Sequence, residues 1–169
     1  MLLLLAFAVA ADGPVVKVGT RSAAVPASWE AVKPANRLRS HQFKLPPAAA
    51  GSPAGELVVF PDSEANPDKV FPKWAATVVP DDDGIPPEEN AKRSKGETNG
   101  LTLHRLDAAG TWKYRDFPQA KKEEQRPGWR VVWVVVVEGA GATHVRLSGP
   151  AAVVEKQLPA FDQWLEAIR

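Results

Sequence analysis

The chain has 169 residues, a net charge of +1 and no cysteine. One domain of this size buries roughly two-thirds of its surface and needs no covalent staple. The lack of cysteine excludes disulfides, thiolate metal sites, cysteine nucleophiles and a lipid-modified N-terminal cysteine, and the near-neutral charge argues against a dedicated nucleic-acid or membrane-surface binder.

Residues 1–10, MLLLLAFAVA, are an apolar run closing on Ala8-Val9-Ala10. The pattern is that of the hydrophobic and cleavage regions of a secretory signal cut before Ala11, although the basic start is missing. The run is too short to span a bilayer, so no stable membrane span is expected after cleavage. Residues 11–25 are expected to be an extended leader, and residues 26–169 a single α+β domain.

Within that domain, residues 26–34 read as an edge strand holding Trp29. Residues 36–45 read as a strand with one charged side, ended by Pro46-Pro47, and residues 56–60 as a buried strand pairing back on it through a long loop. Residues 68–79 predict a helix with Val70, Phe71, Trp74, Ala75 and Val78 on one stripe and Pro72 in its first turn. Residues 92–106 carry one or two strands, with a turn at Gly96 or at Asn99-Gly100. Ala108-Ala109-Gly110 predicts another turn before a short strand over residues 111–115. Residues 116–128, with KKEEQRPG at their centre, are expected to form a long mobile loop, where function often sits.

The chain is organised around residues 129–150. Both alternating sets of side chains are apolar between Val131 and Val137, which predicts a central strand covered on both faces. Residues 139–142 supply the turn. The return arm, residues 143–148, sends Val145 and Leu147 to one face and His144, Arg146 and Ser148 to the other, and is expected to be half exposed. Residues 151–169 predict a helix with Val154, Leu158, Phe161, Leu165 and Ile168 on one stripe, kinked or divided at Pro159. The order β-β-α-β-β-β-β-α gives an α+β fold, an antiparallel sheet of about five to seven strands flanked by helices.

A series of landmarks carries a resemblance over residues 26–169. It comprises Trp29 with Pro34, Phe43-Lys44-Leu45-Pro46, Glu56-Leu57-Val58-Val59-Phe60, Lys73-Trp74 and Asn99-Gly100-Leu101. It continues through Gly110-Thr111-Trp112-Lys113-Tyr114, Pro127-Gly128-Trp129-Arg130, Leu147-Ser148-Gly149-Pro150 and Phe161-Asp162-Gln163-Trp164-Leu165. In these the chain resembles a family of uncharacterised exported proteins abundant in planctomycete bacteria. More remotely it resembles the PsbP/Mog1 type of fold, an antiparallel sheet between helices. The resemblance implies an assembly factor or binding module rather than an enzyme, although fold analogy does not fix function. Two departures stand out: the chain lacks the cysteine of lipoprotein relatives, and Pro72 falls where relatives run through a helix.

Candidate site residues fall in two groups. Arg37, Arg39 and His41, with Lys44 beyond them, alternate along one side of the predicted strand. They read either as a strip for a phosphate, sulfate or carboxylate or as a solvated charged edge. Trp112 and Tyr114 share a face beside the charged loop, where Lys121, Lys122 and Arg126 are further candidate partner contacts. The other tryptophans read as core.

No metal or cofactor is expected. His41, His104 and His144 lack ligand-spaced partners, and Asp81-Asp82-Asp83-Gly84 lacks the alternation and the closing glutamate of a calcium loop. No Gly-x-Ser-x-Gly elbow or glycine-rich phosphate loop is present. The functional expectation is an exported non-enzymatic binding or assembly module for an envelope protein or a small ligand. A loop-assembled hydrolase and a structural envelope component are the alternatives.

Overall fold

The computed structural model describes residues 12–82 and 84–169. Its elements are, in order, β1 (Asp12–Val18), β2 (Arg21–Pro26), β3 (Glu30–Val32), β4 (His41–Leu45), β5 (Gly55–Phe60) and α1 (Pro67–Ala75). They continue with β6 (Val78–Val79), α2 (Pro87–Asn90), β7 (Lys92–Thr98), β8 (Leu101–Tyr114), β9 (Glu124–Glu138), β10 (Gly141–Pro150) and α3 (Ala151–Ala167). Strands β3 to β10 form one eight-stranded antiparallel sheet, ordered β3-β4-β5-β10-β9-β8-β6, with β7 also on β8; β1 and β2 pair as a separate hairpin. This is the expected α+β sheet flanked by helices. The strand count exceeds the five to seven expected because β7, β8 and the short β6 all join it.

The predicted centre holds. β9 and β10 pair from Glu138↔Gly141 to Trp129↔Pro150 around a two-residue turn, with Gly139 at φ +58°, a left-handed angle that glycine adopts at no steric cost. The return arm is not half exposed: β10 lies between β5 and β9, and Arg146 and Ser148 are buried. Even-numbered residues of β9 (Val132, Val134, Val136) enter one core with Phe43, Leu57, Val145 and Leu147, sealed by α3. Odd-numbered ones (Val131, Trp133, Val135) enter a second core with Leu106, Ala108, Trp112 and the α1 side chains Phe71 and Ala75.

Residues 12–26, expected as part of an extended leader, close the first core instead. Val16, Val18 and Val25 of the hairpin are buried there, and Ser22 exchanges backbone hydrogen bonds with Arg169. Their alternation is short and rich in small residues, so the strand signal was weak. Trp29 is buried beside them, edge-on to Trp164 at 6.2 Å, and its Nε1–H donates to Gln157 Oε1 at 2.9 Å. The signal-like run and Ala11 lie outside the described residues.

Local expectations shift for identifiable reasons. α1 starts at Pro67 with Asn66 as cap, its Oδ1 accepting from the Asp68 amide at 2.9 Å; Pro72 therefore stands beyond the first turn. α3 runs as one helix through Pro159 rather than as two pieces. Asn99-Gly100, at φ +47° and +76°, is the β7–β8 turn, and Gly96 lies inside β7. Gly110 makes no turn: β8 continues through it with a register shift. A Cβ there would stand 2.1 Å from the Val79 carbonyl oxygen, so glycine is what lets β6 approach β8.

Candidate functional site

On the α1 side of the sheet the cover is incomplete. α1 lies over Trp133, with Trp74 stacked on that ring at 5.7 Å. Beyond Trp74 the face is bounded by the segment before β4 and the loop after β8, and between them opens a cleft of about 680 Å³. That volume lies within the range of small-molecule sites. Its walls include Leu38, Phe60, Trp74, Trp112, Phe117 and Trp133, with His144 and Arg146 on β10.

Arg146 sits in a central strand with only 7 % of its surface exposed. Its Nη2 donates to Glu56 Oε2 at 2.8 Å, and its Nε is buried without an acceptor. The rest of its surroundings are rings: its guanidinium carbon lies 5.0 Å from the centre of Trp112 and 5.5 Å from that of Phe60. Burial pushes its pKa below the usual arginine value, with the Glu56 charge acting against that fall.

Arg39 is the second buried guanidinium. It does not lie on a strand, since β4 begins at His41; it turns inward and is 4 % exposed. Its Nη1 donates to Gln42 Oε1 (3.1 Å) and Glu56 Oε1 (3.4 Å), and its Nη2 to the Tyr114 hydroxyl (3.1 Å) and the Asp116 carbonyl (3.3 Å). Asn36 Nδ2 donates to that same carbonyl at 3.0 Å. The two segments bordering the cleft are thus tied together through Arg39.

The Tyr114 hydroxyl donates to Asp116 Oδ1 at 2.6 Å, and burial, followed by that bond, raises its pKa. Arg126 lies flat over Tyr114 at 3.7 Å and near Trp129 at 4.7 Å, and it pairs with Glu124 at 3.1 Å. Its position follows from backbone irregularity. Between the pairs Gly110↔Trp129 and Trp112↔Arg126, β9 spends one residue more than β8, and Gly128 takes φ +68° there. The extra residue turns Arg126 onto the same face as Trp129.

His144 adjoins Trp74, edge to face at 4.8 Å, and its Nε2–H donates to the Glu64 carbonyl at 2.7 Å. Desolvation lowers its pKa below 6.5.

Of the residues marked out by sequence, Arg39, Trp112 and Tyr114 come together around Arg146, and Arg126 joins them only through the rings of Trp112 and Tyr114. Arg37 is exposed, and His41 turns to the opposite face with Phe43 and Leu45, beside Lys17 and Thr20. The strip of Arg37, Arg39 and His41 is therefore not one surface, because only the residues from His41 onward are strand. Lys121 and Lys122 are exposed on the loop over residues 115–123, which Arg115 closes on Glu123 at 2.9 Å. That loop is shorter than expected because β9 begins at Glu124. Arg146, Glu56, Trp74 and Phe117 were missed. The available signal was Arg146 itself, a cation alternating with buried positions beside the most apolar strand of the chain.

No family model and no curated protein sequence matches the chain. Solved structures do. A protein of unknown function from Pseudomonas aeruginosa aligns with a TM-score of 0.50 and 14% identity, over 92% of this chain and 95% of that one. LpqN, involved in cell envelope biogenesis of Mycobacterium tuberculosis, aligns with a TM-score of 0.52 and 14% identity, over 88% of this chain and 82% of that one. At this identity the likeness is one of fold. Among the described residues no helix is long and apolar enough to cross a membrane.

Proposed function

We propose that the chain is an exported, non-enzymatic binding or assembly module of the cell envelope that receives an envelope protein or a small ligand in the cleft over Arg146. The observation that carries this reading is the cleft itself. A nearly buried guanidinium opens into it, and Leu38 (49 % exposed) and Phe117 (43 % exposed) stand at its mouth. A guanidinium holds its protons, so the site suits holding a ligand rather than moving a proton. Export is supported by the signal-like run at residues 1–10 and by the involvement of the structurally similar LpqN in cell envelope biogenesis. The resemblance to exported planctomycete proteins and to PsbP/Mog1-type folds points the same way.

The test is photo-crosslinking in the source cell, with the crosslinking residue placed at Phe117 and, as control, at Val15 on the far hairpin. A species captured from Phe117 alone, and lost when Leu38→Asp is added, supports the cleft. Equal capture from both positions sinks it.

A further inference from the structure

Glu56 is a single carboxylate shared by two buried guanidinium groups, Oε1 facing Arg39 and Oε2 facing Arg146. The two cations are not equally served. Arg39 has neutral acceptors as well, in Gln42, Tyr114 and the Asp116 carbonyl. Arg146 has, among the described residues, Glu56 alone as a hydrogen-bond acceptor, with the Trp112 and Phe60 rings beside it and the like charge of Arg39 acting against it. The uncompensated positive charge of the cluster therefore rests on the arginine that lines the cleft. A buried cation requires a counter-charge, and a guanidinium fork matches a carboxylate in shape.

The surroundings narrow the partner further. Asp62 and Asp116 border the same cleft and are matched there by Lys73 and Lys113, so the lining beyond Arg146 offers no surplus positive charge for a second anionic charge. Arg115 is occupied by Glu123, and burial keeps His144 neutral at the pH where an exposed histidine would charge. The apolar part of the lining is large: the exposed hydrophobics Leu38 and Phe117 share it with Trp74, Trp112 and Trp133.

We infer that the cleft takes a singly charged carboxylate on an apolar body of ring or short-chain size, with the carboxylate on Arg146 and the body against Leu38, Phe117 and Trp74. This rests on the cleft being the binding site proposed above.

Isothermal titration of the full chain with 2-naphthoate, decanoate, 2-naphthyl phosphate and the neutral 2-naphthamide tests it. At least one carboxylate should bind about ten-fold more tightly than naphthamide, as a charge-assisted bidentate pair requires. Arg146→Met should abolish that preference, Arg146→Lys should keep only part of it, and Lys156→Gln, exposed on α3 across the sheet, should leave it intact. Should R146M fail to fold, Arg146→Lys decides: its carboxylate preference should fall below that of the parent while naphthamide binding is unchanged. Equal binding of naphthoate and naphthamide, both lost in F117S, would overturn the charge inference and leave the cleft standing as a site. Preferential binding of the phosphate, or no binding by either carboxylate, also overturns it, and crosslinking at Phe117 then judges the cleft separately.

Discussion

Replacing Glu56 by glutamine should be the most damaging single change of one heavy atom on the cleft side of the sheet. The carboxylate accepts from Arg146 at 2.8 Å, from Arg39 at 3.4 Å and from Gln42 Nε2 at 2.7 Å. Glutamine keeps the volume but cancels the charge of the one carboxylate that, among the described residues, pairs with two guanidinium groups that are 4 % and 7 % exposed. Removing one partner of a buried pair costs about 3–5 kcal/mol. The Glu56 side chain keeps 23 % of its surface in solvent, so the lower end, about 3 kcal/mol, applies. For a chain of this length that is a fall in Tm of about 6–12 °C. Arg146→Met tests the reasoning from the other side. It removes a cation whose Nε has no acceptor and leaves Glu56 bonded to Arg39 and Gln42. Its cost should be under about 1 kcal/mol, and the double variant E56Q/R146M should recover most of what E56Q loses. Urea unfolding at neutral pH, followed by circular dichroism, measures all three. The account fails if E56Q lies within about 0.5 kcal/mol of the parent, or if the double variant is no more stable than E56Q.

Other consequences follow from geometry already described. His144 has a pKa lowered below 6.5, so between its folded and unfolded values the unfolded chain holds the extra proton. Stability should therefore be full above about pH 6.5 and fall as the pH drops through that value, and the His144 Hε1 resonance should titrate below the free-histidine range. Glu138 is held down to about 2 by the amide and hydroxyl of Thr20 and by Arg21. Its clasp on the β1–β2 hairpin should persist from neutral pH down past 4.5 and release only as the pH approaches 2, with the Thr20 amide shift as reporter. Gly110→Ala sets a Cβ 2.1 Å from the Val79 carbonyl oxygen at φ +147°. It should cost about 2–4 kcal/mol and remove the exchange protection of the β6–β8 hydrogen bonds; a loss below 0.5 kcal/mol would show that β6 moves aside freely.

Much of the fold could be read from periodicity because it rests on side chains that repeat. Val131 to Val137 alternate between two apolar sets, and the structure supplies a core for each. The stripe of Val154, Phe161 and Leu165 likewise faces the first core. Leu101, Leu103 and Leu106 do not share one parity along β8. That is a conflict only if a single face is buried: Leu101 and Leu103 serve the first core and Leu106 the second. What periodicity could not carry were interruptions that depend on partners far along the chain. The Gly110 shift exists because Val79 approaches it, and the bulge at Gly128 exists because β9 extends past Trp129 to pair with Trp112 and Tyr114. The candidate site was legible in part for the same reason. Trp112, Tyr114 and Arg126 were flagged by composition and local position. Arg146 and Glu56 meet only because β5 and β10, about ninety residues apart, are neighbours in the sheet, which no local pattern announces.

The two faces of the sheet differ in how they are covered, and that difference is what makes a site. On the first face a 17-residue helix and a hairpin close over valines and leucines, and the ion pair Arg130–Asp107, at 2.8 Å, lies on the part-buried margin. On the second face α1 has only nine residues. It covers Trp133 and stops, and the polar side chains of β5 and β10 beyond it must be satisfied in some other way. Arg39 reaches in from the segment before β4 and satisfies one side of Glu56; nothing equivalent reaches Arg146 from the cleft side. An apolar residue such as methionine at position 146 would pack against Trp112 and Phe60 and, by the reasoning above, would cost less than about 1 kcal/mol. On the proposed reading, Arg146 contributes more to a contact outside the chain than to the fold, since buried charge is a poor source of stability and a good source of selectivity.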